Sequence, residues 1–129
     1  HGLEIPAAQA FTQAYMERHD MPPENQAWGD YVAVKILAQA MNEADSTDTD
    51  DLIAYLESDA TFDILKARPG RFRPRDHQLL QEMYIVEVKT PEESENQWDI
   101  FKIVEAVPGE DEDLDLIQPT EEENPCHMS

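Results

Sequence analysis

The sequence is most informative at Trp28-Gly29-Asp30-Tyr31-Val32-Ala33-Val34-Lys35-Ile36-Leu37-Ala38-Gln39-Ala40. This stretch predicts a helix over about residues 26–42 whose apolar side chains surround most of its circumference. Only a narrow polar strip, at Asp30, Lys35 and Gln39, interrupts them. A helix that is apolar nearly all round is typical of one packed on more than one side. We therefore expect it to form the centre of the core, with Leu37 and Ala38 buried.

Two further helices are predicted, one on each side of this stretch. The first begins at Pro6, which suits a first helical turn, and ends before Met21-Pro22-Pro23, because proline cannot continue the hydrogen-bond ladder. The other covers residues 50–58, with an N-cap oxygen from Ser46 or Thr47. A short apolar run follows it, made of Phe62, Ile64 and Leu65.

The second half of the chain predicts a basic loop and then a β-hairpin. The loop, residues 66–75, holds five of the nine basic residues and is rich in turn formers. The strands, 83–89 and 98–104, have an antiparallel pattern and a polar connection. Their side chains look apolar on both faces, and a two-stranded ribbon cannot cover both. We therefore expect the hairpin to join a larger sheet, formed with other chain segments or with a second copy.

Charge separates the end of the chain from the rest. The 129 residues carry a net charge of -20, which argues against nucleic acid as a partner because such binding depends on basic residues that neutralise phosphates. Residues 110–129 contain two acidic runs and no Lys or Arg, so they predict a self-repelling surface tail. Three apolar residues could attach it to a groove: Leu114, Leu116 and Ile117. Because the sequence does not begin with Met, we expect a processed form or a piece of something longer.

No catalytic, metal or cofactor site is predicted. Cys126 has no histidine near it on a packed element, and no serine stands in a nucleophile motif. His1 could bind copper through its amine and imidazole, but the sequence gives no pair of histidines at metal spacing. The alternating acids of residues 45–51 lack the glycine of a calcium loop, and a helix cap explains them better.

The basic loop has two interpretations. Its candidate residues are Arg71, Arg73, Arg75 and His77. Guanidinium groups recognise carboxylates in bidentate fashion, so the loop could hold an anion. It could instead pair with the acidic tail, which we favour because the chain has many carboxylates and few cations.

Three stretches in this order resemble one family. The segment Phe11-Thr12-Gln13-Ala14-Tyr15-Met16-Glu17-Arg18-His19, followed by Pro22-Pro23, resembles a helix and its stop near the C-terminus of type I periplasmic solute-binding proteins, the receptors of branched-chain amino acid ABC transporters. The stretch 28–40 resembles the buried helix that follows in them. The loop Phe72-Arg73-Pro74-Arg75-Asp76-His77-Gln78-Leu79 is similar to that of a subgroup linked to pyrroloquinoline quinone-dependent alcohol oxidation.

The resemblance implies an α/β fold: the C-terminal part of a two-lobed receptor, with three helices followed by a β-hairpin. Residues 1–80 would be the helical portion of one lobe with the basic loop, residues 81–109 a hairpin that crosses to the other lobe, and residues 110–129 an acidic tail. It further implies a periplasmic, non-enzymatic protein that binds a small organic solute between the lobes and delivers it to an ABC transporter permease.

The resemblance also places the start of the central helix near the ligand cleft. Trp28, Asp30 and Tyr31 are therefore candidate ligand contacts, although such aromatic residues are more often part of a core. The competing interpretation is a small acidic protein–protein interaction module, as a monomer or a homodimer. In both interpretations the apolar central helix must be covered by the remainder of a receptor chain or by a second copy.

Overall fold

Three helices occupy the first half of the chain in the computed structural model, which describes residues 2–128. They are α1 (Pro6–His19), α2 (Asn25–Glu43) and α3 (Thr49–Leu56). Pro6 lies in the first turn of α1, and Asp20, in the left-handed conformation, ends it. Asp48, rather than Ser46 or Thr47, caps α3 by accepting a hydrogen bond from the Asp50 backbone N–H at 3.0 Å. Helix α3 therefore begins one residue before the predicted bound.

The core lies where α1 and α2 meet the segment after α3. Its buried members are Ala8, Val32, Ile36, Phe62, Ile64 and Leu65. Phe62 forms an isolated bridge with Gly70, where the two residues exchange backbone hydrogen bonds of 2.9 Å. A Cβ at Gly70 would lie only 3.0 Å from the Ile64 side chain, so a larger residue would force that side chain to shift. The apolar run predicted after α3 thus provides half of the core.

Helix α2 is buried along one stripe only. Its buried residues, Val32, Ile36 and Ala40, recur every four positions. Leu37 is 45% exposed and Ala38 is exposed as well, so the prediction that both are buried is wrong for this chain. The physical reason is that α1, α3 and residues 62–65 contact α2 from one side, and the described residues provide no second layer.

Two small antiparallel sheets follow the helices. The first pairs β1 (Arg71–Arg73) with β2 (Gln78–Leu80) across a four-residue turn. The sequence predicted a loop here, because strands of three residues beside Pro74 carry too little alternation. The second sheet pairs β3 (Met83–Val88) with β4 (Phe101–Val107), with a register irregularity between Ile85 and Val86. We call the β3–β4 pair the ribbon.

The ribbon differs from the prediction in position and in cover. Strand β4 begins at Phe101 rather than Trp98, and residues 98–100 belong to the connection, in which Asp99 forms an ion pair with Lys89 at 2.7 Å. Among the described residues the ribbon pairs with no further strand, and Ile85 and Val86 are 48% and 45% exposed. The expected larger sheet is therefore not formed within this chain. Both faces of the ribbon are therefore uncovered in this chain, and these exposures by themselves give no support to the receptor resemblance.

Candidate functional site

Trp28 lies against the core at the start of α2. Its indole N–H donates to the Ile64 carbonyl oxygen at 2.8 Å, and its side chain is half-buried. The ammonium of Lys66 lies 5.2 Å from its ring centroid, within the range of a cation–π contact. The polar group of Trp28 is therefore used inside the chain, while one side of the ring faces Lys66.

Tyr31 and Asp30 are the accessible members of the predicted ligand set. Tyr31 is 44% exposed and packs against Phe11 of α1, with 4.6 Å between ring centroids. Lys35 lies 5.9 Å from the Tyr31 ring and pairs with Asp63 at 2.8 Å, which holds the pKa of Asp63 below its ordinary value. Asp30 is exposed on the same helix. This end of α2 thus presents an aromatic ring and a carboxylate to the surface.

Arg73 is the buried member of the predicted basic set. Its guanidinium donates to both carboxylate oxygens of Asp76, at 2.6 and 2.9 Å, and the two side chains are 8% and 5% exposed. Hydrogen bonds from Arg73 lower the pKa of Asp76 to about 2, against an ordinary value of 3.8. Arg73 also pairs with Asp115 of the tail. The turn between β1 and β2 is therefore built around an ion pair.

The other basic candidates lie on the same hairpin and contact different partners. Arg71 pairs with Asp113 at 3.0 Å, and Arg75 donates to the carbonyl oxygens of Asn124 (3.0 Å) and Pro119 (2.8 Å). His77 contacts Glu57 at the end of α3, with 2.7 Å between Nε2 and Oε1. The β1–β2 hairpin thus brings Arg71, Arg73, Arg75 and His77 together, and the three arginines all contact the tail.

The tail lies along this hairpin. It contains a short 3-10 helix, Leu114–Ile117, whose first residue is 6% exposed, while Leu116 is 66% exposed. Near the end of the chain, the Met128 N–H donates to the Arg75 carbonyl oxygen at 2.8 Å. The tail is therefore attached to the β1–β2 hairpin by one buried side chain, Leu114, and by the contacts of the three arginines.

A polar cluster that the sequence did not predict lies between the β1–β2 hairpin and the ribbon. Glu82 is 2% exposed and accepts hydrogen bonds from the Ala67 N–H (2.8 Å) and from the Tyr84 hydroxyl. Lys66 donates to the Glu82 carbonyl oxygen, and burial lowers the pKa of its ammonium. Burial, followed by the hydrogen bond with Glu82, raises the pKa of Tyr84. The sequence signal that could have indicated this cluster is a single acidic residue, Glu82, between the apolar residues Leu80 and Met83.

A groove of about 870 Å³ separates α1 from the ribbon. Its walls are mixed in character and include Thr12, Gln13 and Met16 of α1, Lys102 and Ile103 of the ribbon, and Lys89 of the connection between the ribbon strands. Within residues 2–128, no group of three or more His, Cys, Asp or Glu side chains is arranged to hold a metal ion. His1 lies outside the described residues.

Comparison with known proteins agrees with this architecture. A family model described as periplasmic binding protein matches residues 2–95, which include all three helices, strands β1 to β3 and part of the connection after β3. The chain belongs to the periplasmic binding protein family. The predicted family and the predicted α/β class, with three helices followed by a hairpin, are confirmed, whereas nothing in the comparison confirms the alcohol-oxidation subgroup.

Two solved structures are similar to this family member. A periplasmic binding protein from Burkholderia mallei has 31% sequence identity and a TM-score of 0.80 over 95% of this chain. A branched-chain amino acid ABC transporter periplasmic ligand-binding protein from Burkholderia xenovorans LB400 has 30% identity and a TM-score of 0.71 over 78% of it. The chain spans 31% and 26% of the length of these two proteins. A search of the curated proteins gave no match. None of the helices within residues 2–128 combines the length and the apolar character needed to span a bilayer.

Proposed function

We propose that the chain is the C-terminal segment of an extracytoplasmic solute-binding receptor of an ABC transporter, located in the periplasm. The observation that carries the proposal is the family match over residues 2–95 together with the TM-score of 0.80 to a periplasmic binding protein. The receptor would hold a small organic solute between two lobes and present it to the transporter permease. We assign it no catalytic role.

The surface of the chain supports the idea that other segments complete the protein. Side chains on α2 and on both ribbon strands are apolar and exposed, among them Val34 (69%), Val88 (68%) and Phe101 (48%). A free domain rarely exposes so many neighbouring apolar groups. We accordingly propose that residues 1–80 belong to one lobe, that residues 81–109 cross to the other, and that residues 110–129 are a tail attached to the first.

Tyr31 and Asp30 are the side chains that we propose contact the solute, with Trp28 supporting them from the core side. Tyr31 offers a ring that is only partly covered, and Asp30 offers a carboxylate on the same helix. The arginines of the β1–β2 hairpin are a poorer choice for an anionic solute, because the tail occupies Arg71, Arg73 and Arg75. We propose that these residues and His77 have a structural role.

Binding would act through lobe closure. A solute that contacts both lobes favours the closed arrangement by its differential affinity for that arrangement, and crossing segments absorb the movement. The permease would then recognise the closed receptor. In this mechanism the described residues would form one wall of the cleft and one connection between the lobes.

The first experiment is the intact mass of the protein isolated from its source, followed by a solute screen on that protein. A mass several times 14.8 kDa and a rise in melting temperature with one solute class would support the receptor. The panel would include branched-chain amino acids and small alcohols, aldehydes and carboxylic acids, which test the subgroup resemblance. A free-standing 14.8 kDa product that forms dimers would instead support the acidic interaction module.

A matched pair of variants tests the proposed contact. Tyr31→Ala should weaken binding of the identified solute about 2- to 13-fold, because it removes an aromatic contact of about 0.5–1.5 kcal/mol. Val34→Ala changes a 69% exposed side chain one turn further along α2 and should leave affinity unchanged. If Tyr31→Ala binds the solute with the same affinity as the parent and as Val34→Ala, Tyr31 does not contact the solute.

A further inference from the structure

One short segment, residues 66–68, contacts the chain at both ends of the ribbon. It lies between the core residue Leu65 and the β1–β2 hairpin. The ribbon begins directly after Glu82 and ends at Val107, followed by Pro108 and Gly109. The two ends are 27 residues apart in sequence, counted from Glu82 to Gly109. Lys66 and Ala67 contact the first end, and Arg68 contacts both.

At its start the ribbon is held through Glu82. The carboxylate accepts a hydrogen bond from the Ala67 N–H at 2.8 Å and a longer one from the Arg68 N–H at 3.4 Å. The Lys66 ammonium donates to the Glu82 carbonyl oxygen and lies 5.2 Å from the Tyr84 ring centroid and 5.2 Å from that of Trp28. Since Trp28 belongs to α2 and Tyr84 to β3, Lys66 lies between a helix of the core and the first strand of the ribbon.

At its end the ribbon is held through the Arg68 guanidinium. Nη1 donates to the Gly109 carbonyl oxygen at 3.1 Å and Nη2 to that of Glu112 at 2.8 Å. A turn presents these two acceptors together, since the Gly109 N–H donates to the Glu112 carboxylate at 2.7 Å. The planar fork of arginine suits two acceptors at once, which the single ammonium of lysine does not match.

We propose that Lys66 and Arg68 are positioning residues that fix the orientation of the ribbon relative to the three helices. The contacts within this chain are sufficient to fix that orientation. The proposal rests on the proposed function in one respect: if the ribbon crosses between lobes, this orientation sets the geometry of the empty cleft and hence its affinity for solute. Neither residue would touch the solute.

Distance measurements between the two parts test the proposal. Spin labels at Asn42, near the end of α2, and at Glu92, in the ribbon connection, report the orientation directly; both positions are exposed. The labels are placed in the intact protein in which the chain occurs, in its solute-free form and with Cys126→Ser. We expect one narrow distance in the parent protein, and loss of that single distance in Arg68→Met and Lys66→Met. The matched control, Arg18→Met, removes an exposed arginine in the last turn of α1 and should preserve it.

A merely structural role would lower the melting temperature without changing the distance. If Arg68→Met and Lys66→Met both keep the parent distance, the proposal is overturned, whatever their stability. Should either variant fail to fold, Arg68→Lys and Glu82→Gln are milder substitutes. Arg68→Lys keeps the charge but cannot contact both carbonyl oxygens as the guanidinium fork does, so it should broaden the distance. Because no solute is present, these results stand apart from a failed solute screen, which would contradict the proposed function alone.

Discussion

The core and the ribbon contain similar amounts of apolar sequence but use it differently. In the core, Phe62, Ile64 and Leu80 are at most 1% exposed. In the ribbon, no residue of 83–88 or 101–107 is buried, although most are apolar. The core therefore completes its burial within the chain. The ribbon is held by its backbone ladder and by the contacts of Lys66 and Arg68 at its ends.

This difference teaches which parts of the chain are self-sufficient. A two-stranded ribbon is marginally stable in water unless another layer covers it. The chain spans less than a third of the Burkholderia mallei protein, so the partners of its apolar faces can lie in segments outside this sequence. The exposed faces of α2 and of the ribbon mark where we expect those segments to pack.

The largest expected effect comes from a matched pair of isoleucines. Ile64→Ala should lower the free energy of unfolding by about 2–5 kcal/mol, because the side chain is fully buried and its removal leaves a cavity. Ile85→Ala should lower it by about 1 kcal/mol, since that side chain is 48% exposed and loses less burial. Urea denaturation of the 129-residue chain measures both.

Equal losses of stability in Ile64→Ala and Ile85→Ala would contradict the difference in burial between the core and the ribbon. They would mean that the ribbon is covered in solution by a second copy, since the chain itself provides no cover among its described residues. Sedimentation equilibrium on the same samples would then show a dimer. If the chain is part of a larger receptor, as proposed, we expect the loss in Ile85→Ala within that receptor to approach the loss in Ile64→Ala.

The helical part was predictable because its signals are local. Helix α2 was predicted at 26–42 and observed over Asn25–Glu43, since periodicity and flanking residues fix a helix within its own sequence. The periodicity of α2 does not tell which of its apolar faces is buried, because that depends on which other elements pack against the helix. Leu37 is exposed because no described element packs against its face.

The β part and the polar cluster show the opposite case. Strands β1 and β2 have three residues each, too few for an alternation pattern, and Trp98 extends the apolar run of β4 before the ladder begins. The contact between Lys66 and Glu82 joins residues 16 apart in sequence, so only the fold reveals it. Among the candidate site residues, the sequence could identify the arginines by type, but their partners in the tail depend on the fold.

The next effect in size is the loss of stability at acid pH, and it concerns the β1–β2 hairpin rather than the ribbon. The folded protein lowers the pKa of Asp76 to about 2 from 3.8, chiefly through Arg73. The stability from this pair is therefore fully present above about pH 4 and is lost as the pH falls towards 2. Arg73→Met should lower stability at pH 7 and flatten its acid dependence in that window, measured by urea midpoints from pH 2 to 7. A parallel profile for variant and parent would contradict the role of the pair.

A smaller effect is expected on the uncovered side of α2. Leu37→Ala should cost about 1 kcal/mol in the 129-residue chain, because the side chain is 45% exposed there. In the intact receptor the same substitution should cost about 2–5 kcal/mol if another layer covers α2. Thermal or urea unfolding of both forms provides the comparison. The same small cost in both forms would show that this face of α2 is a true surface.

The smallest expected effect lies in the tail. Arg71→Met removes the ion pair with Asp113, in which the two side chains are 37% and 68% exposed. Exposed pairs of this kind contribute about 0.2–1 kcal/mol and weaken as salt screens them. Raising the salt from 0.05 to 1 M, a range of about 14 to 3 Å in screening length, should therefore reduce the difference between Arg71→Met and the parent towards zero. The difference between Ile64→Ala and its parent should be unchanged by salt, because that loss is apolar. A salt-independent loss in Arg71→Met would contradict the exposed ion pair with Asp113 as its source.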